Sequence, residues 1–194
     1  MRLTRISASA TSPVTLGAVK AYLRVLHDDE DALIQSLIDA AVTYLDGPMG
    51  ILGRPIMLQT WEVALDSWPA SELRLPVASV TSATVDYYDS SGVVQTLPPD
   101  SYSIDPLTEA AVGAARPVLR WVGAFARPEL GDGLYPVRLE LTGGAADAGA
   151  LDAGLATLVT MIAGEWYKRD GDGGAAKDWP MAIEALLARY RVKL

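Results

Sequence analysis

The chain has 194 residues, 50% of them hydrophobic, no cysteine, and a formal net charge of −8 from 24 acidic and 16 basic side chains. That length lets one domain, or one with an elaborated insertion, bury roughly 70% of its unfolded surface without disulfides, and the missing thiols exclude thiol catalysis, iron–sulfur clusters and cysteine zinc sites. No apolar run reaches the ~20 residues that cross a bilayer, the opening MRLTRISASATSP has no apolar signal segment, and a negative field repels phosphate, so the expectation is a protein of cytoplasmic origin that binds neither membrane nor DNA directly.

The first predicted element is a short helix. Thr15 can cap it, Leu16, Val19 and Leu23 line one face, and it ends near Arg24. A second, longer helix follows, with Ile34, Leu37, Ile38, Ala41 and Leu45 at helical spacing and Gln35, Asp39, Thr43 and Asp46 on the opposite face. Asp28 to Asp31 fall in its N-cap and first turn, where carboxylates accept unpaired backbone N–H groups and meet the positive end of the helix dipole. Gly47-Pro48 ends it. The chain is thus expected to open with a helical hairpin.

From Ile56 to Thr142 the period changes. Trp61, Val63 and Leu65, and later Val137, Leu139 and Leu141, alternate with polar or small residues as half-buried strands do. ATVDYYDSSGVVQTL reads as a hairpin turning at Asp89 to Gly92, with Val85 and Tyr87 on one face. Prolines at 69, 76, 98, 99, 106, 117, 128 and 136 cut the region into short strands and loops. After the small-residue link GGAADAGALDAG, helical spacing returns through Leu151, Leu155, Leu158, Val159, Ile162 and Trp166. RDGDGGAAKDWP breaks it, and a last helix follows, with Asp178 as cap, Pro180 in the first turn and Ile183, Leu186, Leu187 and Tyr190 as its stripe. The expected class is α+β: a helical core from 1–55 and 143–194 carrying a small antiparallel, barrel-like β insertion at 56–142.

No motif establishes chemistry. His27 with Asp28, Asp29 and Asp31 has ligand types, but consecutive residues at a helix start point in different directions and His27 is the only histidine in the chain. In RDGDGG, Asp170 and Asp172 sit at alternate positions, yet a calcium loop would then need ligands where Gly174 and Met181 stand. Lys177 lacks the preceding glycine and following serine or threonine of a phosphate loop, and Gly171, Gly173 and Ala176 follow a helix rather than a strand. A serine triad would have to use His27, with no G-x-S-x-G elbow nearby. Paired carboxylates remain open as an acid–base pair, although nothing nominates one. The tail ARYRVKL sets Arg189, Arg191 and Lys193 between Tyr190, Val192 and Leu194. Cations there suit a helix C-terminus, the commoner reason for them; a basic, partly apolar docking peptide is the second reading.

With the helices placed, VTLGAVKAYLRVLHDDEDALIQSLIDAAVTYLDGPMG at Val14 to Gly50 resembles the head-to-tail connector (adaptor) proteins of long-tailed bacteriophages and phage-derived gene transfer agents. It has that family's short helix ending in K-x-x-L-R, acidic D-x-x-D-x-x-[IL] start and long helix ending near glycine. The resemblance continues through LQTWEVALDSWP, VDYYDSSGVVQTL, VRLELTGG, EWYKRDG and IEALLARYR, over nearly the whole chain. It departs after TGG, where Ala145 and Ala146 replace an aromatic residue and no proline precedes the next helix.

The resemblance implies a structural protein without catalysis, cofactor or metal. Copies would form a dodecameric ring beneath the portal protein at the head–tail junction of a virion or phage-like particle, made in the host bacterial cytoplasm. The ring would extend the DNA channel toward a stopper or tail protein, with DNA passing through unbound; an acidic wall suits that passage. Arg189, Tyr190, Arg191, Val192, Lys193 and Leu194 would be the portal-docking segment, and Asp28, Asp29 and Asp31 a possible ring contact. The alternatives are a head-completion or tail component with another neighbour, or a hydrolase using paired carboxylates.

Overall fold

The computed structural model describes residues 1–105, 116–123, 125–169 and 179–192. They form two units: a sheet unit that includes Met1–Ala8 and Leu58–Gly144, and a helical unit of Ser9–Met57 and Ala145–Arg191.

The sheet unit contains β1 (Arg2–Ala8), β2 (Gln59–Leu65), β3 (Glu72–Arg74), β4 (Val80–Tyr88), β5 (Val94–Thr96), β6 (Tyr102–Asp105), β7 (Val118–Trp121) and β8 (Val137–Gly143). Five of them build one sheet in the order β1-β2-β8-β4-β5, and three build a second in the order β3-β7-β6. Every strand pairing is antiparallel. The alternation predicted for β2 and β8 sets the register: Trp61 faces Leu141 and Val63 faces Leu139, which in turn faces Val85 of β4. Those side chains point to a core closed by Leu75, Val77, Leu97 and Leu119. Where β8 meets β4, a Cβ on Gly143 would lie 2.5 Å from the carbonyl oxygen of Ser79, so only glycine permits that approach.

The predicted hairpin is β4–β5. The Asp89 carboxylate accepts the backbone N–H groups of Ser91 (2.9 Å) and Val93 (3.0 Å) and the Gln95 amide (2.9 Å). Gly92 supplies the left-handed residue of the turn, at φ 77°. Those three donors, Gln95 foremost, hold the Asp89 carboxyl below the usual carboxylate range.

The helical unit consists of α1 (Leu16–Leu23), α2 (Asp31–Leu45), α3 (Ala153–Lys168) and α4 (Met181–Tyr190). The Thr15 hydroxyl caps α1 by accepting the Ala18 N–H at 3.2 Å, as predicted. The stripes of α2 and α3 face each other: Ile34, Ile38, Ala41 and Leu45 pack with Leu155, Leu158, Val159 and Ile162, and Val19 and Ile183 close the cluster. Asp152 caps α3, its carboxylate accepting the Gly154 N–H at 2.7 Å.

Three expectations change. The chain opens with β1, an edge strand paired to β2, so the first residues of the stretch expected to be helical, 1–55, belong with the sheet. RLTRISA offers no apolar alternation, because of its residues only Leu3 is even partly buried. Asp46 does not lie on a solvent face of α2: it follows the helix in extended conformation and its carboxylate accepts the Ile56 N–H at 2.7 Å. The last helix begins at Met181 with Pro180 at its N-cap; the predicted cap Asp178, like the whole of 170–178, lies outside the described residues.

Candidate functional site

The acidic segment that precedes α2 is organised by a lysine. α1 ends at Arg24, whose left-handed backbone (φ 62°) turns the chain back so that Asp28 and Asp31 both reach the Lys20 ammonium, at 2.6 and 2.5 Å. Lys20 is largely buried, with 13% of its side chain exposed, and Asp28 is 87% exposed. The hydrogen bond that Lys20 donates to Asp28, then the one it donates to Asp31, raises the Lys20 pKa, and Lys20 holds the Asp28 carboxyl below its ordinary range. The predicted capping role is therefore corrected: the N-cap is Glu30, which makes no side-chain cap bond, and its carboxylate instead accepts the Tyr167 hydroxyl. His27 stands 3.7 Å from both Asp29 and Glu30. Its carboxylate neighbours thus diverge, two toward Lys20 and two toward the imidazole. Among the described residues no three His, Asp or Glu side chains gather into a possible metal site. What the segment leaves on the surface is Leu26, 95% exposed, beside Asp28 and Asp29.

At the other end of the helical unit, α4 finishes beside the start of α3. Tyr190 is only 8% exposed, and its hydroxyl donates to the Asp152 carboxylate. That contact needs Gly154, where a Cβ would overlap the Tyr190 ring and hydroxyl. The Tyr190 bond, ahead of backbone N–H groups, lowers the Asp152 pKa, and burial followed by the same carboxylate raises that of Tyr190. Tyr190 is thus a core residue of the helical unit. Arg189 and Arg191 are exposed, and Arg191 already has an extended backbone (φ −68°, ψ 127°) that leads out of the helix. Lys193 and Leu194 lie outside the described residues.

A third surface, missed in the sequence, is the outer face of the five-stranded sheet. A shallow hollow of about 150 Å³ there is bordered by Ile6, Glu62, Asp86, Tyr88, Arg138 and Glu140, with Val94 at its β5 side. Glu62 and Glu140 are direct cross-strand partners, a like-charge pairing that disfavours the fold locally. Arg138 offsets part of it, 3.5 Å from Glu62 and 5.1 Å above the Tyr88 ring. The face is consequently acidic with an aliphatic and aromatic border.

Residues 13–102 match the family model described as phage gp6-like head-tail connector protein, so the likeness to connectors read from the sequence recurs there. Among solved structures, the chain is similar to one in the virion of a native gene transfer agent particle, at 24% identity and a TM-score of 0.77, over 100% of this chain and 97% of that one. It is also similar to a chain in the neck of an empty particle of that kind computed with C6 symmetry (23% identity, TM-score 0.74, 100% and 97% covered). A third similarity is to a chain in the neck of a native particle computed with C12 symmetry (24% identity, TM-score 0.68, the same coverage). These three show a shared fold. No curated protein matches the chain.

Proposed function

We propose that this protein is a structural connector of a phage-like particle, assembling as a ring at the head–tail junction and carrying out no reaction. The observation that carries the reading is the match of the entire chain, both units included, to a chain of similar length from a gene transfer agent particle, two of the matched structures being necks. The connector family model over residues 13–102 supports it independently. A twelve-fold ring beneath the portal, continuing the DNA channel to a stopper or tail protein, is the arrangement that the resemblance implies. A net charge of −8 suits a wall that DNA passes without adhering.

The portal-facing element in this reading is the end of the chain, with Arg189, Arg191 and Val192 leading into Lys193 and Leu194. Tyr190 drops out of the docking set because it is buried. Asp28 and Asp29, exposed beside Leu26, are candidates for a contact between copies, while Asp31 is committed to Lys20. The test is affinity purification from particle-producing cells with mass spectrometry of what is captured, comparing the parent with Arg189→Glu/Arg191→Glu. Both arginines are exposed, so the variant is expected to fold as the parent does and to lose portal at least tenfold. Portal recovered equally with both proteins sinks the docking assignment. Particles that contain none of this protein sink the connector reading itself.

A further inference from the structure

The five-stranded sheet has two free edges, β1 and β5, and no other described strand pairs with either. The direction of the unpaired backbone groups on β5 follows from its hairpin. The Asp89 N–H donates to the Val93 carbonyl at 3.0 Å and the Leu97 N–H to the Val85 carbonyl at 2.8 Å. In the alternation of an antiparallel ladder, Val94 and Thr96, opposite Tyr88 and Asp86, then aim their own N–H and C=O groups away from β4. Soluble proteins usually guard such an edge with charge or proline. Here Val93, Val94, Gln95 and Thr96 carry neither, and Val93 and Val94 are 53% and 54% exposed.

The opposite edge is complementary. β1 carries Arg2 and Arg5 and the 54% exposed Ile6, while Asp86 and Asp89 stand in the β4–β5 hairpin. Ile6 and Val94 border the same hollow, so both project from the outer face of the sheet. Copies of a chain with net charge −8 repel one another, and a contact between them is favoured where a basic segment meets an acidic one. β1 against the β5 hairpin meets that condition, pairs backbone groups left open on both edges, and covers Ile6 with Val94.

We propose that β5 of one copy pairs with β1 of the next, so that the sheet runs on from subunit to subunit; this rests on the ring-forming reading above. The contact is heterologous, joining two different surfaces, and contacts of that kind propagate from copy to copy, closing into a ring when the rotation between neighbours permits and otherwise extending as a filament. Each copy would advance the sheet by about 24 Å, five strands at ~4.8 Å.

The chain has no cysteine, so engineered pairs report this contact without background. Val94→Cys is combined in one chain with Arg2→Cys, Thr4→Cys or Ile6→Cys in turn, three outer-face positions that sample the register. Purified particles are oxidised mildly and run on non-reducing gels. At least one pair is expected to give a ladder of dimers, trimers and higher species, with neither single variant doing so. A second variant, Val94→Pro, removes an N–H aimed at the neighbour without breaking a bond to β4. It is expected to keep the parent's circular dichroism and enter particles at least tenfold less. Dimers from Val94→Cys alone, or the protein present in particles with all three pairs uncrosslinked and Val94→Pro incorporated normally, would overturn the proposal. Absence of even the parent from particles removes the connector reading, and this inference with it.

Discussion

Replacing Tyr190 with phenylalanine separates a structural role for the chain's end from a docking role. The substitution keeps the ring in the core and deletes one hydroxyl, the donor to Asp152. A hydrogen bond to a charged acceptor contributes about 1.5–3 kcal/mol; because Asp152 lies at the surface and water can replace the lost donor, the expected loss falls to about 1 kcal/mol. Thermal unfolding followed by circular dichroism should show this as a fall of about 2–4 °C in Tm. Asp152→Ala removes the same bond and also the α3 cap bond to Gly154, so it is expected to cost about 2 kcal/mol. The double variant should be little worse than Asp152→Ala alone. The pH dependence has a definite sign. Asp152 titrates below its ordinary value of 3.8 in the folded protein, so its contribution is fully present above about pH 4 and disappears as pH falls through the lowered value. The gap between parent and Tyr190→Phe should therefore be constant near neutrality and shrink in acid. Equal stability of the two at pH 7, or a gap that persists unchanged at pH 2–3, refutes the assignment. Capture of particle proteins should be unchanged in Tyr190→Phe, because its side chain is buried.

Ile162→Ala empties a fully buried site between α2 and α3 and should cost about 2–5 kcal/mol, measurable by urea unfolding at 222 nm. Lys20→Met leaves Asp28 and Asp31 facing each other without their cation. Because the native Asp28 carboxyl is lowered and the Lys20 ammonium raised, the parent's advantage should span the whole neutral range. It should be lost in acid as the carboxylate protonates, and again only above the usual lysine range, which melting curves from pH 2 to 11 would show. Asp89→Ala removes three acceptor contacts in the β4–β5 turn, and hydrogen exchange at Ser91 and Val93 should accelerate at least tenfold while amides of β8 stay protected.

Periodicity made the central elements readable. α2, α3, β2 and β8 each carry an apolar stripe strong enough to state which side is buried, and Thr15 and Asp89 carry local hydrogen bonding that a short window contains. The acidic run before α2 was legible as a helix start. Its actual partner, Lys20, was not, because that pairing depends on the left-handed turn at Arg24 that folds α1 back. β1 escaped notice for a different reason: an edge strand buries almost nothing, so it leaves no alternation to read. The order β1-β2-β8-β4-β5 was also out of reach, since β8 enters between β2 and β4 from far along the chain.

Residue types and their spacing were therefore enough for the α+β class, the buried faces of the main helices and strands, the exclusion of thiol and cysteine-metal chemistry, and a likeness to head-to-tail connectors. All of these rest on residue type and short-range spacing. Tertiary contacts were needed to show that Tyr190 belongs to the core, that Asp28 and Asp31 share Lys20, and that β1 and β5 are the outermost described strands of the five-stranded sheet. Burial and partnership at those positions are settled by residues distant in sequence, through contacts that local patterning does not encode.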